Sequence, residues 1–376
     1  MNPPKQPYII DTSLISPLGL TTNENFTALT QSASGIRLLD DTYFFSKPIL
    51  SSVIDHSIID GFKQRLQTKN RFDTLLMACA FDMLQKKEVD YTSHHTLIIL
   101  STTKGNIELL ATEHDSEQID LNYSASLLQQ CFRNPNQVMI VSNACISGIS
   151  AAIVASRYIQ AGLYKHVLVI GCDVVSRFVL SGFNSFLAIS KNGCKPFDID
   201  RDGVVLGEAC GAILLSSEHT SEIVVAGGGI TNDANHISGP SKTGEELAYC
   251  IQQLLQQSSV SQDEISFISA HGTATQYNDE MESKAIALAG LNHVPLFSLK
   301  AQYGHTLGAS GVIECIISVE CLKRNILLPS VGFKTKGVSG DITISQQILE
   351  NELRYAVKTT SGFGGCNAAL LLKKVH

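Results

Sequence analysis

Six short apolar runs, each bounded by polar or turn-forming residues, constrain this chain most. They fall around Tyr8, at Leu97–Leu100, Val138–Val141, Val167–Ile170, Ala212–Leu215 and Ile223–Ala226. Runs this short and β-branched read as buried strands. Between them, Arg71–Leu84 and Ser147–Ala161 carry the three-to-four spacing of helices. The alternation predicts an α/β chain of sheet and helix layers. The polar stretch Ser216–Glu222 is the best boundary and divides the chain into halves 1–218 and 219–376. No repeat is visible by eye.

With 376 residues, 44% of them hydrophobic and 17% charged, the chain can bury a large core. A net charge of -7 speaks against general nucleic-acid binding but allows a local basic patch. The start, MNPPKQPYIID, lacks a basic segment followed by an apolar one, and no apolar run reaches membrane-spanning length, so a cytoplasmic protein is expected. Ten cysteines are present, none in a CxxC pair and none grouped with histidine at zinc-site spacing. Neither a metal site nor a disulfide framework is expected, so a special cysteine must be argued from its surroundings.

Cys145 has such surroundings. It follows the run ending at Val141, precedes a helix expected from near Ile146, and sits within SNACISGISAA. At a helix N-terminus, unpaired amides favour a thiolate and can donate to an oxyanion. Gly148 and the alanines after it let a helix approach a neighbour closely. From this stretch alone, an inert packed cysteine explains the pattern as well as a nucleophile does.

Two histidine segments tip that balance. Phe267–Thr275 ends a strand in His271-Gly-Thr-Ala-Thr, and Ser298–Gly311 places His305 in a glycine-rich turn that enters a helix. Imidazoles of this kind can exchange protons with a thiol or donate to a carbonyl oxygen. A fourth segment, Thr359–Asn367, flanks Phe363 with glycines, as suits a gate or an exposed amide; a hairpin turn into a last strand explains it too.

Taken in order, Ala144-Cys145, HGTAT, KAQYGHTLGASG and GFGGCN resemble the β-ketoacyl-acyl-carrier-protein synthases. So do SPLG at Ser16–Gly19 and KPFDIDRDGVVLGE at Lys195–Glu208. The resemblance covers nearly the whole chain. It implies a thiolase-like fold: two similar α/β halves in an α-β-α-β-α stack. It also implies a decarboxylative Claisen condensation on carrier-protein thioesters, in fatty-acid or specialised polyketide or polyene synthesis.

The resemblance assigns roles residue by residue. Cys145 takes the acyl group, while His271 and His305 act on the malonyl thioester carbonyl. Lys300 supports the histidines, with Glu314 and Asp279 as supporting polar residues, Asp279 in a structural role. The amides of Cys145 and Phe363 form an oxyanion hole, Phe363 gates the site, and Thr273 and Thr275 meet the phosphopantetheine arm. Substrates arrive on acyl-carrier protein, and no metal or organic cofactor is implied. A homodimer, or a heterodimer with a related ketosynthase-like subunit, is expected. The carrier is acidic in this family, and Lys69, Arg71 and Lys195 are its expected docking residues; Gly61–Phe72 holds four basic residues and no acid.

The chain departs from the family in Ser361, usually aromatic, in Cys366, usually Thr, and in Asn143, usually Thr. The stretch Lys104–Asn136 is short, so chain-length preference does not carry over. The alternative from another class is a non-catalytic chain-length-factor-type partner, which typically lacks the nucleophile. A thiolase shares the fold but needs a second catalytic cysteine, for which only Cys366 offers itself. A nucleotide site at Val225–Gly229 lacks GxGxxG spacing.

Overall fold

In the computed structural model, which describes residues 5–112, 116–234 and 239–375, the apolar runs become the strands of one large sheet. The first half contributes β1 (Tyr8–Ile15), β2 (Thr96–Ser101), β3 (Met139–Val141), β4 (His166–Asp173) and β5 (Ala209–Ser216). The second contributes β6 (Ile223–Asn232), β7 (Ile265–Ser269), β8 (Pro295–Phe297), β9 (Thr343–Ile344), β10 (Tyr355–Gly362) and β11 (Cys366–Lys374). Their order across the sheet is β9-β8-β7-β10-β11-β6-β1-β5-β4-β2-β3.

That order is a duplication. In the first half, β1 pairs antiparallel with β5 and β5 antiparallel with β4; β4 and β2, then β2 and β3, pair parallel. In the second half, β6, β11, β10, β7 and β8 repeat the same connections and the same senses, with β9 added outside. The polar segment 217–222 joins the two repeats; among the described residues they meet in the sheet through one residue pair, Tyr8 with Val224. No repeat shows in the residues because topology depends on apolar spacing and not on identity.

Helices complete the layers. The outer face of the first half packs α1 (Arg71–Lys86) and α2 (Leu121–Phe132). Between the halves run α3 (Ser147–Gln160) and, after the short surface helix α4 (Arg177–Ser185), the second half's counterpart α7 (Ser310–Arg324). The outer face of the second half is covered by α5 (Glu245–Ser258) and α6 (Gln276–Leu288). One correction concerns Val138–Val141, expected to be fully buried. Val138 is buried, but Met139–Val141 form β3 and are only half-buried, because β3 is the edge strand and pairs on one side alone. No helix among the described residues is long and apolar enough to cross a membrane.

The small residues after Cys145 serve the crossing of α3 and α7. A Cβ on Gly148 would sit 2.6 Å from the Val312 amide nitrogen, and one on Gly311 would sit 2.6 Å from that of Ile149. Both neighbours are helix backbone and cannot swing away. Gly148→Val is therefore expected to cost about 3 kcal/mol or more, read as a lower denaturant midpoint. An unchanged midpoint would mean that the helices do not touch there.

Candidate active site

The two central helices begin at the same place, and their N-terminal turns bring the chemistry together. β3 ends at Val141, and the chain reverses through Ala144, which adopts a left-handed φ of 44°. Ser147 braces this turn: its hydroxyl donates to Ala144 O at 2.6 Å and accepts the Asn143 amide at 2.8 Å. Cys145, 6% exposed, is thereby set two residues before the first residue of α3.

His305 comes from the turn before α7, 160 residues away in sequence, and its Nε2 lies 3.0 Å from Cys145 Sγ. Its Nδ1 lies 2.9 Å from Ser310 Oγ. A hydroxyl both donates and accepts, so Ser310 permits either tautomer. Nε2 can thus accept the thiol proton or carry a proton of its own.

His271 stands at the end of β7, with ring centre 5.2 Å from that of His305 and the planes at 85°. Its Nδ1 faces Lys300 Nζ at 3.5 Å and Thr360 Oγ1 at 3.4 Å. An ammonium only donates, so Nδ1 accepts and the ring proton rests on Nε2. Lys300 is wholly buried, bonds His271 O at 3.1 Å and forms an ion pair with Glu314 of α7.

Protonation follows from burial. Desolvation first, then the Lys300 ammonium, holds both imidazoles well below the usual histidine value, so both are neutral at physiological pH. Burial also pushes the Cys145 thiol up to about 12, against the opposing pull of Lys300. The helix N-terminus was expected to favour a thiolate; burial works in the opposite direction. The resting pair is a thiol facing a neutral imidazole.

Asp279, buried in α6, accepts the amides of Thr273, Ala274 and Phe197. It ties the HGTAT loop to the KPFD segment and is pushed up to about 6, chiefly by burial. The Thr273 and Thr275 hydroxyls lie 2.9 Å apart, Thr273 buried and Thr275 half-buried. Phe363 is 47% exposed, against Phe183 at 5.7 Å and Phe186 at 6.2 Å. Gly362 brings that loop against Cys145: a Cβ there would lie 3.1 Å from the Cys145 amide nitrogen and 3.2 Å from Cys366 Sγ. Ser361 and Cys366, the two departures in this loop, are engaged within the hairpin. Ser361 Oγ donates to Asn367 Oδ1 at 2.7 Å, and the Cys366 thiol lies 3.3 Å from Phe363 O.

The three expected docking residues differ in exposure. Lys69 is exposed and Lys195 half-buried. Arg71 is 2% exposed and cannot meet a partner. Its guanidinium pairs with buried Glu208, bonds Ile54 O and lies 5.3 Å from the Phe44 ring centre. A guanidinium at the start of α1 costs least inside the core when a carboxylate neutralises it. Residues 113–115 of the short stretch lie outside the described residues.

Glu282, which like Asp279 follows HGTAT and was expected to be structural, accepts the His271 and Gly272 amides and the Thr359 hydroxyl. Other site residues escaped the sequence reading. Asp173, at the end of β4, accepts the amides of Thr103 and Gly308, the latter at 2.7 Å and three residues past His305. Thr360 donates to Cys145 O at 3.3 Å, and Lys358 pairs with Glu314. The signal for the last was a lysine within the otherwise apolar start of a strand, Tyr355–Val357.

Two family models match: "Beta-ketoacyl synthase, N-terminal domain" over residues 8–221 and "Beta-ketoacyl synthase, C-terminal domain" over residues 223–334. The chain is 27% identical over 404 residues to 3-oxoacyl-[acyl-carrier-protein] synthase 2 of Mycobacterium leprae, covering 97% of this chain and 96% of the relative. It is 33% identical over 261 residues to the protein of that name from Rhizobium meliloti, covering 64% and 61%. Among solved structures, the ishigamide ketosynthase/chain length factor matches with a TM-score of 0.88 at 23% identity, over 99% of this chain and 100% of that one. A β-ketoacyl synthase from Burkholderia phymatum matches at 0.87 and 22%, over 99% and 100%. A ketosynthase from Xenorhabdus doucetiae, in complex with its chain length factor, matches at 0.85 and 24%, over 99% and 98%.

Proposed function

Since the chain belongs to the β-ketoacyl synthase family and is a condensing enzyme of the acyltransferase type, we propose that Cys145 carries an acyl group and that the site joins it to malonyl-acyl-carrier protein. The products are 3-oxoacyl-acyl-carrier protein and CO2. The observation that carries this reading is the 3.0 Å approach of His305 Nε2 to Cys145 Sγ, with His271 edge-on beside it.

In the first half-reaction the sulfur attacks the acyl thioester carbonyl. His305 Nε2 takes the thiol proton and returns it to the departing pantetheine thiolate. The amides of Cys145 and Phe363 receive the charge on the carbonyl oxygen. In the second, the malonyl carboxylate leaves as CO2, and the electrons of the broken carbon–carbon bond pass to an enolate. The Nε2–H groups of His271 and His305 stabilise its oxygen. The enolate carbon then attacks the acyl carbonyl, and the tetrahedral adduct collapses to expel the Cys145 thiolate, which takes up a proton from solvent.

Lys300, Glu314 and Asp279 hold this arrangement; Thr273 and Thr275 meet the pantetheine arm, and Phe363 gates the two steps. The thioester supplies the activation, so the reaction draws on no metal or organic cofactor. The carrier docks near Lys69 and Lys195. A related subunit or a second copy completes a dimer, a reading supported by neighbours titled as ketosynthases with chain length factors. The pathway is fatty-acid or specialised polyketide or polyene synthesis. The intact Cys145–His305 contact favours a catalytic subunit over a chain-length-factor-type partner.

The test is a set of acyl-carrier substrates of varied length and unsaturation, read by the intact mass of the protein and then by product after malonyl-carrier addition. Acyl-Cys145 followed by a 3-oxoacyl product supports the reading. No mass shift with any substrate, from protein alone or with a partner subunit, rejects it.

A further inference from the structure

Lys358 lies in β10 with no exposed surface, directly after the buried apolar residues Tyr355–Val357. Its Nζ reaches four oxygens: Thr359 O at 2.7 Å, Glu314 Oε2 at 2.8 Å, Ser269 O at 3.1 Å and Ala270 O at 3.3 Å. A neutral amine would turn a lone pair toward one of them, so the surroundings suit an ammonium. Ser269 and Ala270 are the two residues before His271. Glu314 therefore holds two buried lysines, Lys300 on Oε1 and Lys358 on Oε2.

The next residues of β10 continue the pattern: Thr359 bonds Glu282, which holds the His271 amide, and Thr360 lies beside the His271 ring. We propose that Lys358 is a positioning residue for His271. It anchors Glu314 and the backbone leading into His271, so that Lys300 is held against Nδ1 and the ring N–H is turned to the reacting malonyl carbonyl. This rests on the function proposed above only for what the ring does, not for how it is held.

The electrostatic consequence has a definite sign. Around His271 stand Lys300, His305, Lys358 from β10, Glu282 and Asp279 from α6, Glu314 from α7 and Cys145. After burial and Lys300, His305 and Lys358 also disfavour the imidazolium. Removing the Lys358 charge eases protonation of His271, so its pKa rises toward the ordinary histidine value. A group that must stay neutral then loses function at a higher pH as acid is added, and the acid limb of the rate moves up.

The test uses the full chain with 15N-labelled histidine. The His271 resonance is assigned by its loss in His271→Gln and titrated without substrate in wild type, Lys358→Met and Lys358→Gln. Expected is a wild-type His271 that stays neutral to well below its usual range, and a rise of about 0.5 or more in a folded variant. Malonyl-carrier decarboxylation should fall about tenfold or more, its acid limb shifted the same way, while Cys145 acylation stays within about twofold of wild type. An unshifted His271 in a folded variant overturns the proposal. So does a wild-type His271 that titrates at its ordinary value, which decides the matter if neither variant folds. A wild type that decarboxylates no malonyl thioester would sink the proposed function and leave the titration to judge Lys358.

Discussion

Cys145→Ala is expected to abolish the acyl-enzyme: intact mass should show no adduct with any acyl-carrier substrate, and condensation should fall on the order of 10⁴-fold or more. In the proposed reaction the thiol at the Cys145–His305 junction is the acyl acceptor, and removing Sγ takes away the atom that would form the thioester. Malonyl decarboxylation is expected to survive. His271, Lys300 and Glu314 are held by one another and by backbone, not by the sulfur. Freed of its contact with Sγ, His305 can still carry a proton on Nε2 through Ser310. Acyl transfer that persisted in this variant would move the nucleophile elsewhere, with nearby Cys366 the first place to look.

His271→Ala should divide the two half-reactions. Condensation is expected to drop about 10²- to 10³-fold, the usual cost of losing one donor to a developing oxyanion. Acylation should persist, because the proton of Cys145 goes to His305. His305→Ala should slow both steps, since among the described residues His305 is the imidazole within hydrogen-bond reach of a thiol pushed up to about 12. Acyl-enzyme formation by mass, alongside product formation, separates these outcomes. Equal loss of both steps in His271→Ala would remove the division of labour.

Much of this is legible in the sequence. The apolar runs marked the strands, since alternation of short buried segments with helical spacing is a local property. Cys145, His271 and His305 stood out because each sits in a small-residue turn after a strand, and turns of that kind expose a side chain at a helix start. Arg71 was misread for the same local reason. In GFKQRLQTKNRF it resembles its exposed neighbours, and only Glu208, 137 residues away, draws it inside. Lys358 was overlooked because a lysine in a strand reads as solvated until its partners are known.

The sequence by itself determined which thiol and imidazoles are candidates for the chemistry and which turns present them, and its resemblance to the ketosynthases implied two α/β halves. The candidates depend on residue type and near-neighbour spacing. Only the tertiary structure decided the state in which the atoms meet: a neutral thiol rather than a thiolate, neutral imidazoles, and one glutamate shared by two lysines. Protonation and charge sharing depend on desolvation and on contacts between distant segments, such as the close crossing of α3 and α7 at Gly148 and Gly311.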